Sequence, residues 1–377
     1  MDQSLELADF LTPLDISSLF GDISFDNFQL GSSIDKYEHQ LPDLTKAEVI
    51  IVGVEEFRGG GYPAETASAD AVRKQLYPLY QWQPEVGIAD LGNIQKGKSL
   101  KDSRAALKMV LEELLDLGKR ILILGGSHDL TLTQYQAYVS RKQVIEATVV
   151  DALIDLHEEE YAHSRRFLME MLTGQPNYVK HYNHIGFQSY FVHPRMLETL
   201  DKLRFDCYRL GTAREELQNL EPVIRSSDLF SFDITALRSG DAPASRLSPN
   251  GFAGEEACAL FKYAGMSNQL TSIGLYGYIP ENDRDELTAI QAAEMVWYFI
   301  EGVGVSLNEA NLDESSAFTE FHISIDDADT AFLKSKNTGR WWMKMPNKKI
   351  YPCAYEDYVI AGKGEIPERW LRVQERL

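Results

Sequence analysis

The chain has 377 residues, 44% of them hydrophobic and 25% charged, enough apolar material to core one large α/β sheet. Its formal net charge of −20 and pI near 4.8 argue against nucleic acid or an anionic membrane as partner, since both need a basic face, and mildly favour cationic ligands. Cys207, Cys258 and Cys353 are widely spaced with no CxxC, the amino terminus lacks the basic and apolar regions of a secretory signal, and no stretch approaches the length of a membrane-spanning helix, so a reducing, cytoplasmic setting is expected.

Residues 1–46 read as an N-terminal extension with short apolar clusters, Leu7–Leu11 and Phe25–Phe28, broken by Gly31-Ser32-Ser33. Strands and helices then alternate. Val49–Val54 reads as a strand and Asp70–Tyr80 as a helix; Ser103–Lys119 is amphipathic, with Leu107, Val110, Leu111, Leu114 and Leu115 in one stripe. The run Arg120–Leu124 is a buried strand and Leu130–Val139 a helix. Ala147–Leu153, His184–Gln188, Cys207–Leu210, Leu229–Ile234 and Leu270–Tyr276 read as further strands. Arg165–Leu172, Pro194–Lys202, Glu215–Ser226, Glu255–Ala264 and Thr288–Glu301 read as the helices between or after them. This alternation predicts a parallel sheet covered on both faces, an α/β domain over 47–305. Residues 306–377 differ. They hold Phe321, Phe332, Trp341, Trp342, Tyr358 and Trp370 among many aromatics, with a local excess of lysine from Lys334 to Lys349. Aromatic richness predicts an ordered appendage, packed on the sheet or at a subunit interface rather than on nucleic acid.

Gly125-Gly126-Ser127-His128-Asp129 follows the Arg120–Leu124 run, at the carboxyl end of a strand, where α/β proteins place their sites. Two later runs also end in aspartate: Val149-Val150-Asp151-Ala152-Leu153-Ile154-Asp155 and Leu229-Phe230-Ser231-Phe232-Asp233-Ile234-Thr235. One imidazole, His128, and three carboxylates, Asp151, Asp155 and Asp233, suit a hard to borderline divalent ion such as Mn²⁺. A lone histidine is more often a satisfied core residue, but three buried carboxylates without a cation are costly. The competing reading is a decayed site in which a lysine or arginine has replaced the metal, with Arg238 one candidate. Asp129 reads as supporting a ligand or capping the next helix. His157 is either an exposed loop residue or a substitute ligand, and Glu158-Glu159-Glu160 a solvated run. No P-loop, GxGxxG or GxSxG motif is present.

On these motifs and their order the chain resembles the ureohydrolase family of arginase, agmatinase and formimidoylglutamase, which carries Gly-Gly-x-His-Asp, Asp-Ala-His-x-Asp and Ser-x-Asp-x-Asp. Gly53-Val54-Glu55-Glu56, Asp90-Leu91-Gly92-Asn93 and Ser248-Pro249-Asn250-Gly251-Phe252 are similar to further family segments, so the likeness covers about residues 47–303. It implies a three-layer α/β/α sandwich with a mainly parallel sheet of about eight strands. It also implies a homo-oligomer, a pair of Mn²⁺ ions bridged by hydroxide, and hydrolysis of a C–N bond in a small guanidino or formimino compound.

The departures are concentrated. Leu153 stands at the family's second histidine, Thr235 at its last aspartate, Arg238-Ser239 at its following Asp-Pro, and Gly277 at its substrate-binding glutamate. The ligands of the family's more buried metal persist as His128, Asp151, Asp155 and Asp233, whereas the other metal would keep only Asp151 and Asp233. The expectation is one Mn²⁺ per chain at most. As an enzyme, the chain would use metal-bound water against the amidine carbon, with Asp155 and His163 as catalytic groups. His163 lies near the family's proton-shuttling histidine. The rival expectation is a catalytically inactive protein with a binding or assembly role.

Overall fold

A computed structural model describes residues 7–62, 66–158, 162–325 and 328–376; Glu159 and Glu160 of the acidic run lie outside the described residues. The strands in chain order are β1 (Leu11–Thr12), β2 (Asp35–Lys36), β3 (Val49–Gly53), β4 (Ile88–Ile94), β5 (Arg120–Leu124), β6 (Ile145–Val150), β7 (Val179–Phe187), β8 (Asp206–Arg209), β9 (Leu229–Asp233) and β10 (Ser272–Tyr276). Eight of them run parallel in the order β4-β3-β5-β10-β9-β6-β7-β8. The N-terminal segment adds β1 antiparallel and β2 parallel to β4, which covers an otherwise open edge.

Runs such as Val49–Gly53 and Leu229–Asp233 are buried along their whole length, as strands apolar on both faces must be. Alternate residues serve opposite layers. Ile51, Leu122 and Leu124 join one core with the Ser68–Leu76, Gly254–Gly265 and Leu287–Leu307 helices. Ile50, Val52, Ile121 and Ile123 join the other with the Leu100–Asp116, Leu130–Ser140 and Phe167–Thr173 helices. The fold is therefore an α/β/α sandwich. No helix among the described residues is long and apolar enough to cross a membrane.

Two helices differ most from their sequence pattern. The helix expected over Glu215–Ser226 is three short pieces, Leu210–Glu215, a 3-10 turn Leu217–Leu220, and Glu221–Arg225. Pro222 lacks an N–H and fits only the first turn of a helix, so a new helix begins there. The helix expected to end at Glu301 runs from Leu287 to Leu307, because its buried face continues through Val303 and Ser306.

After that helix, β11 (Phe318–Ile325), β12 (Ala328–Ser335), β13 (Trp341–Lys344) and β14 (Ile350–Cys353) form a separate antiparallel sheet. With the Tyr355–Gly362 and Glu368–Glu375 helices it encloses Phe332, Trp341, Met343, Cys353 and Trp370. This sheet docks on the large one through arginines. Arg225 Nη2 donates to the Trp341 carbonyl at 2.9 Å, and its guanidinium lies 4.3 Å above the Trp342 ring. Arg372 and Arg376 both pair with Asp206 on β8.

Burial alone would raise the Asp206 carboxyl. The His181 hydrogen bond and the Arg376 and His181 charges outweigh it and hold the group well below the usual carboxylate range. A folded-state pKa depressed in this way contributes stability that is fully present above the unfolded value, about 4, and is lost as pH falls through the folded value. Hydrogen-exchange protection in 368–376, taken relative to the intrinsic rate at each pH, should therefore fall below about pH 4, and Asp206→Asn should flatten that response. Equal acid sensitivity in the variant would rule out this pairing as the cause.

Candidate metal centre

The site lies at the carboxyl ends of β5, β6 and β9, which strand order brings together around β10. Gly125 and Gly126, at φ +91° and +79°, turn the chain out of β5; a Cβ on either would lie 2.2 Å from Ser68 Oγ or Leu130 Cδ1. The turn points His128 at three aspartates. Its Nδ1 is 3.1 Å from Asp151 Oδ2, 3.2 Å from Asp155 Oδ2 and 3.7 Å from Asp233 Oδ2, and all four residues are buried. The Phe167 ring meets the imidazole edge-to-face at 4.7 Å.

The remaining carboxylate oxygens have different fates. Asp151 Oδ1 accepts the Thr235 hydroxyl at 2.6 Å and the Leu153 N–H at 3.1 Å. Asp233 Oδ1 accepts the Thr235 N–H at 2.8 Å. Asp155 Oδ1 is buried with no hydrogen-bond partner, and the nearest cation, Arg165 Nε, stands 3.7 Å away.

Burial and the neighbouring Asp151 charge push the Asp155 carboxyl up to about 7. Burial also raises Asp233, against the pull of His128. Asp151 is net lowered, because the His128 hydrogen bond and charge overcome its burial. Burial would lower His128 as well, but Asp151, Asp155 and Asp233 hold the imidazole well above its ordinary value. One imidazole faces three carboxylates, and a cation resolves that excess.

Other expected residues lie elsewhere. Arg238 does not neutralise the cluster: it pairs with Asp241 at 2.8 Å on a different face. Asp129 does not cap its helix; its buried carboxylate takes Arg104 Nη2 at 2.6 Å and the Ser127 hydroxyl. His163 also lies off the cluster. Its imidazole sits beside Arg166 at 3.1 Å and Glu170 at 3.6 Å and does not line the cavity above the cluster, whereas Arg165 does. His157 is half-buried, with Nε2 3.4 Å from Arg165 Nη2.

That cavity measures about 380 Å³ and is walled by Phe57, Tyr62, Leu153, Arg165, Arg246 and Asn282 as well as the cluster. Sequence reasoning missed two supporting groups. Ser231 shares a strand face with Asp233, two residues on, a period-2 signal that would have found it. His184 donates from Nε2 to the Asp151 carbonyl at 3.1 Å and accepts the Tyr182 hydroxyl at Nδ1, 2.9 Å. Burial lowers it to about 4, so it stays neutral.

The arginase family profile matches residues 47–301, about two-thirds of the chain. The chain belongs to the arginase family. It is 24% identical over 254 residues to formimidoylglutamase from Salmonella arizonae, covering 64% of this chain and 79% of that one. Among solved structures, formimidoylglutamase from Bacillus subtilis superposes with a TM-score of 0.66 at 18% identity, over 76% of this chain and 96% of that one. The Mn²⁺₂ form of formiminoglutamase from Trypanosoma cruzi gives 0.64 at 18% identity, over 73% and 98%. A hypothetical agmatinase from Burkholderia thailandensis gives 0.60 at 18%, over 74% and 90%. These likenesses establish the arginase fold. The second sheet lies beyond the matched residues.

Within this arginase-family frame the donor set fits one ion. His128, Asp151 and Asp155 offer ligand atoms within 4.8 Å of one another. Neighbouring ligand atoms 3.1–3.7 Å apart suit a hard divalent ion with bonds of about 2.1 Å. Asp155 Oδ1, buried with no hydrogen bond and with Arg165 Nε no nearer than 3.7 Å, is a free valence of the kind such a site predicts. With an ion on Nδ1, His128 Nε2 would carry the proton and donate to Ser231 Oγ, 3.1 Å away and itself 2.6 Å from Thr131 Oγ1. Ser231→Ala should weaken Mn²⁺ binding by about 10–100-fold, the usual cost of freeing a ligating histidine. Unchanged affinity in a competition titration would remove Ser231 from the site.

Proposed function

We propose that the chain is a single-metal member of the arginase family that hydrolyses a C–N bond of a small guanidino or formimino compound. The observation that carries this reading is the convergence of His128 Nδ1 with the Oδ2 atoms of Asp151, Asp155 and Asp233 beneath an open cavity. These four residues would hold one Mn²⁺. Bound there, the ion would supply a Lewis acid and lower the pKa of water.

The residues of the chain do the rest. Phe57, Leu153 and Ile279 give the cavity apolar wall and limit water access. Arg165 and Arg246 bring positive charge to its lining, and Asn282 a further polar group, suited to orienting a carboxylate-bearing substrate. Thr235 clamps Asp151 and Asp233 together from the far side and holds their Oδ2 atoms toward His128.

Two observations favour the inactive reading. The Oδ1 atoms of Asp151 and Asp233, the oxygens those two residues would offer a second ion, already accept protein donors: the Thr235 hydroxyl and the Leu153 N–H at Asp151, and the Thr235 N–H at Asp233. A side chain at Gly277 would put Cβ 2.7 Å from Asp233 Oδ2 at φ +82°, so the family's glutamate has no room in this backbone.

Elemental analysis after Mn²⁺ loading and desalting should find about one ion per chain. Assays of formiminoglutamate, agmatine and arginine with that sample then decide between the readings. Turnover that disappears in Asp151→Asn supports the hydrolase. One bound ion without turnover of any of the three supports the binding role, and no bound ion sinks the metal site altogether.

A further inference from the structure

A second recess, of about 560 Å³, opens on a different face. It lies between the loop carrying Tyr80 and Trp82, the start of the Gly254–Gly265 helix and the outer side of the Leu287–Leu307 helix. Its wall is aromatic. Tyr80, Trp82 and Tyr298 are 58%, 75% and 38% exposed. Trp297 is locked in place, its Nε1–H donating to the Tyr80 carbonyl at 2.7 Å and its ring meeting Tyr298 edge-to-face at 5.3 Å.

Its rim is acidic, with Asp241, Glu255 and Glu294. The one cation in the lining, Arg238, is committed to Asp241 at 2.8 Å, and that same carboxylate oxygen accepts the Gly254 N–H at 2.7 Å. No ion pair joins Glu255 or Glu294 to a cation among the described residues. Desolvation against the recess wall and the Glu255 charge hold the Glu294 carboxyl above its ordinary range.

Aromatic faces and carboxylates outside a close ion pair attract the same guest. The ring quadrupole favours a cation over the face, most strongly for tryptophan and for alkylated ammonium groups. The volume lies within the range of small-ligand sites, and the fixed Trp297 lowers the ordering cost of binding. A second copy of this chain is a poor occupant, because its net charge of −20 meets an acidic rim. We propose that this recess binds a small alkylammonium cation, held over Trp82, Trp297 and Tyr298 and balanced by Glu255 and Glu294.

The recess is separated from the metal cavity by one chain segment. Arg238 and Asp241 line the recess, and Ala244 to Leu247 line the metal cavity. The two sites can therefore be tested independently. Calorimetric titration of the full chain with choline, and with its uncharged carbon isostere 3,3-dimethyl-1-butanol, reads the charge preference directly. Choline should bind at least about tenfold more tightly than the isostere, and Trp82→Ala and Glu294→Gln should each weaken it by about tenfold. Both side chains are exposed, so neither change threatens the fold. In Asp155→Asn the choline affinity should be unchanged. Equal affinity for choline and the isostere, or insensitivity to both recess variants, overturns the proposal. Loss of binding in Asp155→Asn also overturns it, by assigning the guest to the metal cavity. Binding of a lysine-rich peptide without binding of choline does the same, in favour of a protein partner.

Discussion

Asp155→Asn is expected to remove Mn²⁺-dependent stabilisation while leaving the metal-free protein as stable as before, or more so. Asp155 is buried beside Asp151, its Oδ1 accepts no hydrogen bond, and burial with the Asp151 charge pushes its carboxyl up to about 7. An amide of the same shape withdraws one negative charge from a crowded pocket, which relieves the apo state. It also withdraws an anionic ligand, which weakens the loaded state. At a free Mn²⁺ concentration of about 100 times the wild-type dissociation constant, the ion adds about 2.7 kcal/mol to stability. A variant that binds about 100-fold more weakly gains only about 0.4 kcal/mol under the same conditions. Thermal unfolding with and without Mn²⁺ separates the two. An equal rise in melting temperature for both proteins would exclude Asp155 from the ligand set. A large fall in the metal-free variant would instead mean that Asp155 serves as the structural partner of Arg165.

Trp370→Ala should release the second sheet without emptying the metal centre. Trp370 is 1% exposed, donates from Nε1 to Thr330 Oγ1 at 3.1 Å, and packs with Phe332, Trp341 and Met343. Truncating a buried tryptophan costs about 3–5 kcal/mol. A core this small supplies about that much in total, so the loss is comparable with the unit's own stability. Arg225, Arg340 and the Asp206 pairs hold this sheet to the large one at the end of β8 and at the Glu221–Arg225 helix, away from His128. Trypsin should therefore cut the variant within the lysine-rich 334–349 stretch, while Mn²⁺ stoichiometry stays as in the wild type. Loss of Mn²⁺ binding together with cleavage throughout both sheets would show instead that the two sheets unfold as one cooperative body.

Much of the frame could be read from local composition. Arg120–Leu124 and Leu229–Asp233 are apolar along their whole length, which only a strand covered on both faces tolerates, and the structure places both inside the parallel sheet. The aspartates and His128 were visible as polar residues ending such runs, where burying a charge is costly unless it has a task. Helix limits were read less well where a local breaker competed with a favourable pattern, as Pro222 did within the stretch expected to be one helix.

What contact decides was invisible to composition. His128 and Asp233 meet because β10 and β9 follow β5 in the sheet, an order set by how helices pack on both faces rather than by any local signal. The same holds for individual oxygens. Thr235 read as a lost ligand, yet its hydroxyl and N–H are what occupy Asp151 Oδ1 and Asp233 Oδ1 and leave only one side of the carboxylates open. His163 read as the group facing the site, but the 3-10 turn His163–Arg165 presents Arg165 to the cavity and His163 to Glu170. A period or a spacing reports which face of an element is apolar. Which atom meets which depends on distances of a few tenths of an ångström between segments far apart in the chain, and only the packed tertiary structure sets those.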